Sequence, residues 1–338
     1  MPRTAAPLHR LASCLSQAVG LSLAAGLCLC LAGAALSPLP AHAEVPAGPF
    51  AGTSVALRHS ASAVTFAKDA EPTWNPTWVG AVAATLRYAL GPHWFGRAAV
   101  GVAREITDAD WTTSRGEWTL TDTTVAFGGR PWHSAALGVD VRVDGQFALP
   151  TSKASIARTL RFAPSLGLAV AWEGGAFEAG LSSRAVAPLY RYTTASTATP
   201  WVVGCAGDPA GCGRYSHTGV RNPQWRFQNA LNLGWAPLDS LALTASAGAI
   251  HDVLPPLATA HTDAGMAVAP DPTDPNLRVT ALYSLGLAWT PAPAVTVTVG
   301  AEAASNALRP DSRPQTPFFN RYTALYLEMS LRPDKLWR

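Results

Sequence analysis

AALGVDVRVDGQFAL, residues 135–149, sorts by alternate positions into two faces. Ala135, Leu137, Val139, Val141, Val143, Gly145, Phe147 and Leu149 form an apolar set, while Ala136, Gly138, Asp140, Arg142, Asp144, Gln146 and Ala148 form the other. Strand side chains alternate sides, whereas a helix would mix these sets. The run is also long. Strands of soluble proteins average about 5–6 residues, and a tilted strand crossing a bilayer needs about 9–11. A half-buried strand of a soluble sandwich alternates in the same way, so the rest of the chain decides whether the apolar side faces a core or lipid.

Comparable runs recur at 52–66, 78–89, 94–106, 118–127, 160–172, 177–189, 224–235, 241–250, 277–289, 295–303 and 322–331. In 78–89 the even positions Trp78, Gly80, Val82, Ala84, Leu86 and Tyr88 are apolar with an aromatic at each end, a girdle pattern. The connections alternate in length. Short ones at 91–93, 128–134, 173–176, 236–240 and 291–294 are rich in Gly, Pro or Asp, as tight turns require. Long ones fall near 67–77, 107–117, 150–159, 190–223, 251–276 and 304–321. Short turns on one side and long loops on the other are the rhythm of an outer-membrane barrel.

That rhythm predicts an all-β fold: an antiparallel up-and-down transmembrane β-barrel of about twelve strands, an even number as bacterial single-chain barrels have. The short turns lie on the periplasmic side and the long loops outside. In hydrocarbon every backbone N–H and C=O needs a partner, and a closed barrel supplies one without leaving an edge. The apolar face then points to lipid and the polar face to the lumen.

Composition agrees. Charged residues make up 14% of the chain, well below the usual quarter. Arg3 and Arg10, an apolar run over 11–36 and the triplet Ala41-His42-Ala43 read as a secretory signal over 1–43, with the barrel domain over 44–338. An uncleaved helix is the competing reading of the apolar run, and the small-x-small site opposes it. Export predicts placement in the outer membrane of a Gram-negative bacterium. The 25 Lys and Arg against 22 Asp and Glu include Arg3 and Arg10, so the mature chain is near neutral, without a basic footprint for nucleic acid.

Alternation places Asp140, Arg142, Asp144 and Gln146 in one lumen-facing column, with Glu178, Arg184, Arg226, Gln228, Arg278, Glu302 and Glu328 on other strands. Such charges can set the charge preference of a water-filled path, or pair across the wall and fill it. Cys205 and Cys212, in CAGDPAGC within the longest loop, suit a disulfide in an exported protein. The histidines are scattered, with no HExxH, and neither metal nor cofactor is expected. His251, Asp252, His261 and Asp263 share the 251–276 loop, where they could hold a cation, although a solvated loop suffices. Without G-x-S-x-G or a Ser–His pair on one outer face, no enzyme is expected.

The signal, the loop rhythm and the last strand, FFNRYTALYLEMSL (318–331), resemble bacterial outer-membrane transport-type barrels. More loosely, they are similar to the transporter-like family associated with meta-pathway phenol degradation. The polar lumen face and the moderate strand number predict passive passage of a small solute by a monomer, with outer-membrane lipid and the barrel-assembly machinery as partners. Two departures stand beside the resemblance: no N-terminal plug is evident, and the chain runs on to Trp337 and Arg338 past the terminal aromatic that assembly machinery reads. The alternative is a closed barrel working through its loops as a surface adhesion, receptor or structural protein.

Overall fold

In the computed structural model the described residues are 48–66, 76–107, 116–197, 216–256, 260–261, 267–268, 276–306, 313, 320 and 322–336. Residues 1–43, expected as a signal, the expected disulfide pair Cys205 and Cys212, and Trp337 lie outside them. Twelve strands close an antiparallel barrel. They are β1 (Ser54–Ser62), β2 (Trp78–Ala89), β3 (Trp94–Glu105), β4 (Thr123–Ser134), β5 (Val139–Leu149) and β6 (Leu160–Gly174). The rest are β7 (Phe177–Val186), β8 (Trp225–Leu238), β9 (Leu241–Val253), β10 (Leu277–Ala292), β11 (Val295–Asn306) and β12 (Thr323–Leu331). Each strand pairs with its sequence neighbour, and β1 pairs with β12 to close the ring, Val55 opposite Leu331. Closure leaves no edge in the hydrocarbon.

Wall orientation follows from the alternation. Leu166 and Leu181, on opposed strands, are 68% and 64% exposed, while Asp140 on the other face is 4% exposed. For a soluble strand this would be inverted; for a barrel in lipid it is the stable arrangement, since the exposed side meets acyl chains. Aromatics collect near the two ends of the outer surface. At the short-turn end Trp94 stacks on Phe127 at 5.3 Å between ring centres and Phe177 on Trp235 at 6.3 Å. At the long-loop end Trp225 and Phe227 stack at 6.5 Å. Trp and Tyr favour the membrane–water interface because they present an apolar body and a polar tip. Among the described residues no helix is long and apolar enough to cross a membrane.

The deciding stretch is shorter than its alternation suggests. Residues 135–138 form the turn between β4 and β5, and the strand starts at Val139. Gly138 explains the break: its φ is +63°, and a Cβ there would sit 2.1 Å from the Glu173 carbonyl oxygen. Its own carbonyl accepts from the Glu173 N–H at 2.8 Å, tying the turn to the end of β6. Leu137, 62% exposed, is apolar because it sits at the girdle and not because it is in a strand. Conversely, 128–134, expected as a turn, is strand. A bulge between Gly129 and Trp132 takes up Arg130 and Pro131, shifts the alternation, and lets Trp132 face out opposite Val141.

The segment Trp118–Leu120 pairs with β3 and leads into β4 after a break at Thr121 and Asp122. Asp122 is turned aside to accept the Ser152 N–H at 2.9 Å and the Ser155 hydroxyl. Ser152 caps a short helix, α1 (Lys153–Ala157), by accepting from the Ser155 N–H at 3.1 Å. The next loop is joined to it. Ser196 donates to the Ala157 carbonyl, and the Asn222 amide donates to the carbonyls of Arg158 at 3.2 Å and Tyr192 at 3.0 Å.

Candidate functional site

The charged side chains of the non-lipid face gather into clusters stacked along the barrel. Near the short turns, Asp140 on β5 is approached by His133 Nδ1 at 2.6 Å, Arg130 at 3.3 Å and Arg142 at 3.5 Å. Arg142 is also in electrostatic range of Glu178 on β7, which stands opposite Glu173 across the turn of Gly175 and Ala176. At mid-height Asp144 accepts from one Arg184 terminal nitrogen at 2.8 and 2.7 Å, and the other donates to Ser165 Oγ at 3.0 Å. These groups reach each other across β6 only because Gly167 lies between them; its Cβ would meet Asp144 Oδ1 at 2.6 Å. Gln146 accepts from Arg97 of β3 at 3.2 Å.

Toward the long loops, Asp252 on β9 is clamped between Arg226 of β8 and Arg278 of β10. It accepts from Arg226 Nε at 2.6 Å and Nη2 at 3.1 Å, and from Arg278 Nε at 3.2 Å and Nη2 at 2.7 Å. The planar guanidinium fork suits such two-point pairing. On the seam between the chain ends, Arg58 of β1 pairs with Glu302 at 2.5 Å and Glu328 at 3.6 Å. Its guanidinium lies 4.2 Å from the Tyr326 ring centre.

Large inward side chains are kept against the wall. A Cβ on Gly300 would lie 2.7 Å from Tyr326 Cζ, and one on Gly286 would lie 2.8 Å from the Tyr326 hydroxyl, so the ring rests on two glycines. Phe95 repeats the device over Gly128, with Arg87 stacked 4.3 Å from its centre. Glycine is required at these positions for close approach. Most of the remaining inward positions are Ala, Gly, Ser or Thr, among them Ala126, Ala171, Ser246 and Gly248.

Of the residues expected in the lumen, the structure joins Asp140 with Arg142, and Asp144 with Arg184. It links Arg226 with Arg278 through Asp252, and Glu302 with Glu328 through Arg58. Gln228 stands in register between Arg184 and Ile250. Arg58, Arg87, Arg97, Arg130 and His133 escape the sequence reading, and Asp252 is read there as a loop residue and not as a lumen one. Arg130 and His133 fall in the supposed turn. Asp252 belongs to the supposed cation-holding loop, a placement that fails because β9 extends to Val253 and sets His251 and Asp252 on opposite faces. Asp263 lies outside the described residues.

One pair differs in kind. Arg87 and Arg97 face each other directly across β2 and β3. Like charges opposite one another repel, and among the described residues neither has a carboxylate in ion-pair contact. Arg87 Nη1 donates to the Ala51 carbonyl at 2.7 Å instead.

No family model matches the chain, and no curated protein matches it in sequence. Solved structures similar to it include an outer membrane channel from Pseudomonas putida F1, at 11% identity and TM-score 0.49, with 86% of this chain and 98% of that one covered. The NanC porin aligns at 8% identity and TM-score 0.43, covering 83% and 100%. Outer membrane phospholipase A from Escherichia coli aligns at 11% identity and TM-score 0.38, covering 84% and 94%. The last corrects the expectation of no enzyme, since an enzyme stands among the similar barrels. Absent linear motifs were a weak basis for that exclusion, because a catalytic group on a barrel is assembled from separate strands and is recognised by geometry. The closed wall, its apolar exterior and its two aromatic levels make this protein a β-barrel of the Gram-negative outer membrane, surrounded by membrane lipid.

Proposed function

We propose that the barrel gives a small solute passive passage across the outer membrane, as a monomer, and that it favours anions. One observation carries the reading: the inner lining combines charged clusters with small residues, and its large side chains, Tyr326 and Phe95, lie flat on glycines. Barrels of eight strands are filled by their own side chains and those of sixteen are open; twelve strands with a small-residue lining leave room for water. The Arg87–Arg97 pair supports the anion preference, being cationic and without a carboxylate in ion-pair contact among the described residues. The narrower likeness to the transporter-like family associated with phenol degradation belongs to the same proposal, as does delivery by the barrel-assembly machinery.

Liposomes containing the refolded protein are expected to swell faster in a small monocarboxylate than in a neutral sugar of equal size. Equal rates, no faster than those of empty liposomes, would overturn passage. Arg97→Gln should lower the anion-to-cation permeability ratio, measured as a reversal potential in a salt gradient. A unit charge about 10 Å from the path in a water-like dielectric changes each ion's occupancy about twofold. A ratio unmoved by Arg97→Gln would remove this residue from the selectivity mechanism.

A further inference from the structure

Among the described residues, Arg104 is the one full charge on the outward positions of β1–β12. Register places it in a row. His59 of β1 is opposite Gly80 of β2, Gly80 is opposite Arg104 of β3, and Arg104 is opposite Trp118. With about 4.8 Å between neighbouring strands, the His59 and Arg104 backbones stand about 10 Å apart across a position that has no side chain. The imidazole leans over this gap, since a Cβ on Gly80 would be 3.2 Å from His59 Cε1. The guanidinium lies 5.3 Å from the Trp118 ring centre, and no described carboxylate pairs with it. The row floors a dent of about 640 Å³ in the outer wall, continued one row deeper by Leu57 and Val82.

Depth and chemistry agree on an occupant. Gly80 is two residues below Trp78, where β2 leaves the long-loop end, so the row lies just beneath the outer aromatic level. A charge on the lipid face is costly at mid-membrane and tolerated only near the interface. There it meets phosphate groups, which the guanidinium fork binds with charge-assisted hydrogen bonds. We propose that this dent holds a phosphorylated lipid of the outer leaflet, its phosphate between Arg104 and His59 above Gly80 and an acyl chain along Leu57 and Val82. The two ends are matched: the Arg104 guanidinium and an imidazole N–H of His59 meet the anion, and the apolar row meets the chain.

Native mass spectrometry of the detergent-purified full chain, titrated with a phosphorylated glycolipid and with the same lipid dephosphorylated, reads this out. The phosphorylated form should be retained about tenfold or more over the dephosphorylated one, the worth of one charge-assisted hydrogen bond. Arg104→Gln should abolish the preference, and Gly80→Leu should do the same by filling the gap while keeping both Arg104 and His59. Arg104→Gln removes a charge from a lipid-facing wall, so its folding is not at risk, and it decides the matter if Gly80→Leu fails to assemble. Equal retention of both lipids, or an unchanged preference in Arg104→Gln, would overturn the site. Full competition by inorganic phosphate would also overturn it, because a bare anion site needs no acyl groove.

Discussion

Leu168→Arg is expected to destabilise the barrel by about 2–4 kcal/mol, the cost of an arginine on the lipid face at mid-membrane. Leu168 is 49% exposed on the outer surface of β6, between Val143 of β5 and Ser183 of β7. Along its own face it falls between Phe162 and Trp172, which approach the two ends of the strand. Val141→Arg on β5 is the contrasting case. Val141 is two residues from the turn and opposite Trp132, where the penalty falls to about 0–1 kcal/mol because the long side chain can reach the headgroups. Urea titrations of the protein refolded in lipid vesicles measure both. Equal, small losses would mean that the assigned outer face or its depth is wrong.

Asp252→Ala should be nearly as damaging, at about 3 kcal/mol. Removing one partner from a buried ion cluster leaves the others uncompensated, and Asp252, whose side chain is 3% exposed, is the acceptor for both Arg226 and Arg278. The arginines are each 22% exposed, so solvent on the lumen side holds the loss to the lower end of the range for buried pairs. A second change, Arg226→Gln, should recover part of the loss by relieving repulsion between the remaining cations. The same urea titrations test this, and additive losses in the double variant would show that the three groups do not act as a cluster.

Much of the wall was legible in the sequence because a lipid-facing strand leaves a period-two pattern that no turn or helix imitates over ten residues. Trp78–Ala89 was bounded correctly to the residue for this reason. Legibility failed where the pattern and the backbone part company. Leu137 continues the alternation of β5 into a turn because the girdle favours apolar residues whatever the backbone does. The bulge at Arg130 and Pro131 reverses the alternation midway along β4 and made a strand look like a turn.

The clusters were less legible than the strands. Asp140 and Arg142 could be assigned to one face from their spacing alone. That Asp252 is held by Arg226 and Arg278 depends on pairing between strands more than twenty residues apart, and this register is not written in any one segment. The Arg87–Arg97 pair is hidden although the two lie close in sequence, because the 91–93 turn has to set the exact register that opposes them. Each arginine is ordinary in its own strand, and only the register of β2 against β3 opposes them.

The most direct measurement is single-channel recording of the refolded full chain in a planar lipid bilayer. A water-filled lumen predicts discrete, ohmic conductance steps, with a reversal potential in a salt gradient displaced toward the anion. Protein that is folded, inserted and silent in the same bilayers would contradict passage through the barrel.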